Sequence, residues 1–414
     1  MDLPVDERGA VHVARQPILQ PSGRVFGYEL LYRASADDQA CAEALDLASA
    51  RVLTDVMLNL GLETLTHNRL AFFNLSRGLL LAGAAALIPR NACVLELHED
   101  LEPDSEMIAA CEQLVASGYT LALDDFLPET PAEDLLPFVK YVKVDVLATT
   151  AEQRSAIARR LLPRGLKLIA EKVQTDAQAV EAREMGYSLA QGYFFCHPTT
   201  FGSGSLPPQR LAALHLMAAL HDPDVTISEV DELIKRDVAL SYRVLRSVNS
   251  AAFGGGREVG SIHDALVFLG IDQIRQWASV WALAGAHDRP SEAMTMTLLR
   301  ARHCELIGRS VAGGEAGAAY FLLGLCSLLD VILDRPMPFV LEKLPLPASI
   351  RAALLGTPGP ARSALDAVVA YEQGSWDAAD AAATAAGIPA AILPEAYSDA
   401  VRWSHHLATH SAAA

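Results

Sequence analysis

Eight apolar runs in the first half of the chain each carry an acid or amide, or a Lys–Asp pair, near one end, and helix-patterned segments separate several of them. The runs are VHVARQPIL (11–19), VFGYELLYR (25–33), RLAFFNLS (69–76), ACVLELHE (92–99), TLALDDF (120–126), YVKVDV (141–146), KLIAEKV (167–173) and LAQGYFF (189–195). Residues 41–60 place Leu45, Ala48, Val52, Val56 and Leu60 on one helical face, and 105–117, 150–162 and 176–185 read as further helices. Near-continuous hydrophobic strands alternating with helices imply an α/β fold with a parallel sheet covered on both faces. Eight strands in about 200 residues suit a (β/α)8 TIM-like barrel, with a doubly wound open sheet as the alternative.

The segment HPTTFGSGSLPPQR (197–210) is rich in Gly, Ser, Thr and Pro and reads as a break. We expect a barrel domain over 1–198, a linker over 199–210 and an all-α domain over 211–414. The later segments carry helical periodicity, among them ISEVDELIKRD, SIHDALVFLG and AMTMTLLRARHCELIGRSVAG. Ser228 with Asp231, and Ser261 with Asp264, have capping-box spacing. The Ala-rich stretches 379–387 and 407–414 read as helix, then as a frayed end.

Charge narrows the function. Net charge is −17, so no basic excess exists to bind nucleic acid or an anionic membrane surface in general. The longest apolar run, AAYFLLGLCSLL (318–329), is too short for a bilayer span, and the polar N-terminus is no signal peptide. None of the six cysteines forms a C-x-x-C pair. A reduced, cytoplasmic protein is expected.

Glu29 sits in the middle of the apolar run GYELLYR, and burying a carboxylate without a partner is costly. The other runs supply company: Asn74, Glu96 and Glu99, Asp124 and Asp125, Lys143 and Asp145, Glu171, and Gln191. If the strands close into a barrel, these groups meet at its carboxyl-terminal mouth. So many carboxylates cannot share a small volume while all charged, unless cations lie between them. Oxygen donors suit Mg²⁺ or Mn²⁺. Glu29, Asn74, Glu96 and Asp124 make a first ligand set, and Asp125 reaches a second ion. Two such ions activate water for in-line displacement at a phosphoester. Lys143 orients that water or offsets phosphate charge, and Glu171 acts as its base.

On the motifs RQPIL, YELLYR, FNLS, LELHE, LALDDF, VKVDV, AEKVQT and AQGYFFCHP, residues 11–198 resemble the EAL-domain family of cyclic-di-GMP phosphodiesterases. The resemblance implies metal positions at Glu29, Asn74, Glu96, Asp124 and Asp125, and further active-site positions at Lys143, Glu171 and Gln191. It implies contacts with the dinucleotide at Gln16, Leu31 and Arg33. The chain also departs from the pattern. Leu30 replaces the naming Ala. LPETPAED (127–134) replaces a Gly- and Ser-rich loop that Glu99 would steady and that links the second metal to substrate and dimerisation. Lys172 replaces Gly, and Gln174 replaces an acid.

The stretch LIKRDVALSYRVLRSVNSAAFGG followed by SIHDALVFLGIDQIRQW resembles the HDOD domain, a helical relative of HD phosphohydrolases. His263–Asp264 reads as part of a helix cap. In the stretch GLCSLLD, Ser327 and Leu328 stand where a metal-binding His–Asp pair would fall. The resemblance therefore implies a regulatory module that binds a protein partner, and it leaves room for a homodimer. Two functional readings stay open: metal-dependent hydrolysis of cyclic-di-GMP, weak or lost through the altered loop, and a non-catalytic receptor or scaffold.

Overall fold

The computed structural model describes residues 12–33, 61–98, 101–193, 225–235, 261–270, 292–312, 316–333, 335–342, 344, 346–389 and 391–412. The helix expected over 41–60, Glu99 and the linker lie outside them. The chain divides into two compact units. One spans Met1–His197 and takes in Ala370–Ala378; the other holds Pro198–Val369 and Ala379–Ala414.

The first unit is a closed eight-stranded barrel in sequential order: β1 (His12–Leu19), β2 (Val25–Arg33), β3 (Leu70–Asn74), β4 (Cys93–Leu97), β5 (Thr120–Leu123), β6 (Val139–Asp145), β7 (Lys167–Glu171) and β8 (Leu189–Gln191). The closed barrel was expected; its one reversed strand was not. β1 runs antiparallel to both β2 and β8, while every other adjacent pair is parallel. The cause is local. Only Gln20–Arg24 separate the first two strands, and a parallel crossover needs a dozen residues or more. A tight turn forms instead: Gly23 at φ 76° donates its N–H to the Gln20 carbonyl at 2.8 Å.

Helices α1 (Leu62–Thr66), α2 (Arg77–Leu81), α3 (Ser105–Ala116), α4 (Ala151–Leu161) and α5 (Asp176–Glu184) fall between the strands. Capping starts several of them. The Asp104 carboxylate accepts from the Met107 N–H, and Thr150–Gln153 and Thr175–Gln178 form complete capping boxes.

Inside the barrel, Ile18, Phe72, Val94, Ala122, Tyr141, Ile169 and Leu189 pack into one buried apolar layer. Side chains on a strand return to the same face every second residue. Two residues further toward the mouth from this layer stand Gln16, Asn74, Glu96, Asp124, Lys143, Glu171 and Gln191. On β2, Glu29 follows Gly27, where a Cβ would come within 2.7 Å of the Leu70 carbonyl. The apolar plug thus forms the floor of a polar ring to which all eight strands contribute.

Ala370–Ala378 joins the barrel unit at β1. Among the described residues β8 pairs with β1 only at Ile18 and Leu19, and other contacts lie farther along β1. There the Val13 N–H donates to the Tyr371 hydroxyl at 3.3 Å, and His12 packs against the Tyr371 and Trp376 rings.

The described part of the second unit is helical: α6 (Ile227–Lys235), α7 (Ile262–Leu269), α8 (Glu292–Ala312), α9 (Ala316–Cys326), α10 (Leu329–Leu333), α11 (Met337–Glu342), α12 (Ala348–Leu354), α13 (Pro360–Glu372), α14 (Trp376–Ala386) and α15 (Ile392–Ala412), with α13 and α14 crossing the boundary. Glycines let α8 and α9 approach closely: a Cβ on Gly324 would lie 2.5 Å from the Arg300 carbonyl. Phe321, Leu325, Cys326 and Leu329 centre the core. α6 is capped two residues earlier than the Ser228–Asp231 spacing implies, because the Thr226 hydroxyl accepts from the Glu229 N–H and the Glu229 carboxylate accepts from the Thr226 N–H. The terminal helix continues to Ala412, past the start of the expected frayed end. Among the described residues no helix is long and apolar enough to cross a membrane.

Candidate metal centre at the barrel mouth

One ammonium sits among four carboxylates. Lys143 Nζ lies 2.7 Å from Glu171, 2.8 Å from Glu96, 2.9 Å from Asp124 and 3.2 Å from Glu29. Lys143 and Glu96 are fully buried, and Glu29, Asp124 and Glu171 nearly so. Amides complete the ring. Asn74 Nδ2 donates to Glu29 Oε1 at 2.8 Å. Gln191 Nε2 donates to Glu29 Oε2 at 2.5 Å and to Gln16 Oε1 at 2.7 Å. The Tyr32 hydroxyl donates to the Asn74 carbonyl and fixes the end of β3.

The ring is short of positive charge and of donors. An ammonium has three N–H groups, and four carboxylates compete for them. Glu96 receives no directed hydrogen bond on either oxygen, even though Lys143 Nζ is close to one of them. The ion pair with Lys143 offsets only part of the cost of burying this carboxylate. Protons relieve part of it: burial pushes the Glu96 and Glu171 carboxyls well above the ordinary carboxylate range, against the pull of Lys143. Burial also acts to raise Asp124, yet Lys143 and hydrogen bonds from Lys143, Glu171 and the Asp125 N–H hold it below the usual value. The same carboxylates keep Lys143 protonated far above the ordinary lysine range despite its burial.

A hard divalent cation fits this donor set. Glu29, Glu96 and Asp124 each offer an oxygen within 4.8 Å of the others, and no second such group of acids, histidines or cysteines exists among the described residues. Asn74 adds an amide beside them, and the unsatisfied Glu96 oxygens are the vacancy in the hydrogen-bond network that a cation would fill.

The remaining sequence-derived residues lie apart from the ring. The Asp125 carboxylate is 3.1 Å from Lys172 Nζ, which also lies 2.7 Å from Asp145. Arg33 pairs with Asp377 at 2.9 Å and lies over the Trp376 ring, and Leu31 packs beside Gly374. Sequence reasoning marked Lys172 only as a replaced glycine and gave Trp376 and Asp377 no role; no local pattern links these residues to the mouth. Loop 127–134 is built firmly. Pro131 opens a turn of 3-10 helix (Pro131–Leu135), the Glu129 N–H donates to Glu133 at 2.8 Å, and Glu133 pairs with Arg160.

The helical unit shows a different chemistry at the positions that the sequence singled out. Ser261 caps α7 by accepting from the Asp264 N–H at 3.0 Å, and His263 and Asp264 are exposed. Ser327 accepts from Arg300 at 3.1 Å and donates to the Gly324 carbonyl; Leu328 is buried.

The EAL domain model matches residues 3–198 and the HDOD domain model residues 206–331. The chain is 31% identical over 406 residues to the uncharacterized protein YuxH of Bacillus subtilis, covering 96% of this chain and 98% of that one. It is 30% identical over 408 residues to the cyclic di-GMP phosphodiesterase CdgJ of Vibrio cholerae, covering 97% and 94% respectively. A solved EAL domain protein from Listeria monocytogenes aligns with TM-score 0.37 and 19% identity over 47% of this chain and 93% of that one.

Proposed function

The chain belongs to the family of EAL-domain proteins that carry an HDOD domain, and from that premise we propose that its barrel mouth binds cyclic-di-GMP and hydrolyses one phosphodiester bond with the help of Mg²⁺ or Mn²⁺. The observation that carries this reading is the ring of four buried carboxylates around Lys143, with Glu96 unsatisfied. Glu29, Asn74, Glu96 and Asp124 would hold the cation. When bound, such an ion polarises a phosphoryl oxygen and lowers the pKa of water at the site.

The chain's own groups do the rest. Lys143 holds a fixed positive charge at the floor of the mouth, which offsets charge on the phosphodiester as it reacts. Glu171, deprotonated when the cation is bound, takes the proton of the attacking water. Water adds its oxygen to phosphorus as the bond to the opposite ester oxygen breaks, the leaving oxygen takes a proton from solvent, and a linear dinucleotide results. Gln16 and Gln191 present amides to the ligand from adjoining strands. Leu31 and Arg33 extend that contact along β2. The Arg33 pair with Asp377 is exposed, and such a pair is worth little, so a phosphate competes for the guanidinium at small cost.

The firm loop 127–134 favours a second reading, a receptor that binds the dinucleotide and does not turn it over. The helical unit then serves as the partner-binding module in either case. Supporting this role, Ser327 and Leu328 occupy the dyad positions, and Val267 and Phe268 on α7 are exposed. Incubating the full-length protein with cyclic-di-GMP and Mg²⁺ or Mn²⁺, beside a binding titration, separates the readings. Linear product that vanishes in Glu29→Ala and Glu171→Ala establishes the enzyme. Saturable binding without product establishes the receptor. Neither binding nor product leaves a protein scaffold, for which size measurement with and without nucleotide tests a homodimer.

A further inference from the structure

Lys172 occupies a position that a lysine takes up only under constraint. Its φ is 54°, in the left-handed region that favours glycine. The backbone there is fixed from the next residue, because the Val173 N–H donates to the Gln191 carbonyl at 3.0 Å. Gly192 lies so close that a Cβ on it would fall 2.1 Å from the Val173 carbonyl oxygen. From this point the half-exposed side chain reaches two carboxylates at the ends of β5 and β6. Its ammonium lies 3.1 and 3.4 Å from the two oxygens of Asp125 and 2.7 Å from Asp145 Oδ2. Both partners are themselves held. Asp125 sits at φ 42°, and the other Asp145 oxygen accepts from the Leu147 and Ala148 N–H groups at 2.6 and 3.1 Å.

Asp125 is the residue that would reach a second ion. The two acid groups of the mouth therefore differ in charge balance. Around Lys143 one ammonium faces four carboxylates, and Glu96 stays unsatisfied. Around Lys172 one ammonium faces two carboxylates, and one of these already accepts two backbone N–H groups. A divalent cation entering beside Asp125 would meet a resident positive charge, and the two would repel each other.

We propose that the Lys172 ammonium takes the place of a second divalent cation, so that the barrel mouth binds one ion. The inference rests on the reading that the acid ring holds the first ion. It gives Asp125 a different task from the one the resemblance implies: it anchors a lysine.

Counting Mn²⁺ bound per chain tests this on the full-length protein, by equilibrium dialysis and by the electron paramagnetic resonance of the bound metal. The wild type binds one ion, with the spectrum of an isolated Mn²⁺. Lys172→Gly, which suits the left-handed backbone, and Lys172→Met, which keeps the side-chain length without the charge, each bind two ions with a spin-coupled signal. Lys172→Arg keeps one. Adding Asp125→Asn to Lys172→Gly returns the count to one. Two ions on the wild type, or one ion on both neutral variants, overturns the inference and leaves the first site standing. No ion on any variant overturns the acid-ring reading and this inference together.

Discussion

The barrel mouth and the helical unit both bury ionisable side chains, and they balance them in opposite ways. In the helical unit Glu305 is nearly buried and lies between Arg302 at 2.8 Å and Arg309 at 2.5 Å. His303 is fully buried, its Nε2 is 3.1 Å from the Leu393 carbonyl, and burial lowers its pKa to about 3, so it is neutral. In the mouth, four acids converge on one lysine, and burial raises the carboxyls of two of them well above the ordinary range. Balanced charge in a core is a feature of packing. Charge that stays unbalanced after folding is held ready for something that binds.

The strongest way to break this contrast is to remove charge from each region and follow turnover. Glu171→Gln keeps the shape of the side chain and removes its capacity to take a proton, so hydrolysis of cyclic-di-GMP should fall about 10²–10⁴-fold. His263→Ala, at an exposed position of α7, should leave the rate unchanged. A rate that survives Glu171→Gln would remove the base from the mechanism; a rate that falls in His263→Ala would move chemistry into the helical unit.

Stability sharpens the same contrast. Lys143→Met leaves four buried carboxylates with no cation. Breaking a buried pair by removing one partner costs about 3–5 kcal/mol. Urea unfolding without divalent metal should show that loss, and Mn²⁺ should recover much of it. If the midpoint does not move, the ring is better hydrated than its burial implies.

Acidity gives a third and smaller effect. Glu96 and Glu171 hold protons in the folded chain to higher pH than in the unfolded chain. Between the ordinary glutamate pKa, about 4.3, and their raised values, the folded state binds more protons, so stability falls as pH rises through that window. A cation that displaces these protons reverses the trend, and its affinity rises with pH. Urea midpoints across pH 5–8, with and without Mn²⁺, check both signs. Metal-free midpoints that rise with pH across that range would contradict the proton assignment.

The mouth was legible in the sequence because a barrel converts a period of two into a height. Phe72 and Asn74, Tyr141 and Lys143, Ile169 and Glu171 repeat one step, apolar floor and then polar ring, on separate strands. The reversed β1 was hidden because its apolar run resembles the others; only the short connection Gln20–Arg24 distinguishes it. Lys172 could be seen as a departure, but its partners could not, since they depend on a positive φ and on strand ends 27 and 47 residues away in sequence. The contact of Tyr371 with Val13 joins residues 358 apart, and no local pattern encodes such a pairing.

The smallest effect tests the bland side of the comparison. If His263–Asp264 is a helix start and nothing more, its energetics belong to Ser261, whose hydroxyl accepts from the Asp264 N–H. Ser261→Ala should then cost about 1 kcal/mol, the usual price of a lost N-cap. Asp264→Asn should change stability by less, because it keeps the backbone N–H that makes the bond. Neither should alter the number of Mn²⁺ ions bound. A metal-binding dyad predicts the reverse order: Asp264→Asn and His263→Ala would lower the ion count, and Ser261→Ala would leave it alone. The ranking of these three variants in a thermal melt and a metal titration separates a cap from a ligand pair.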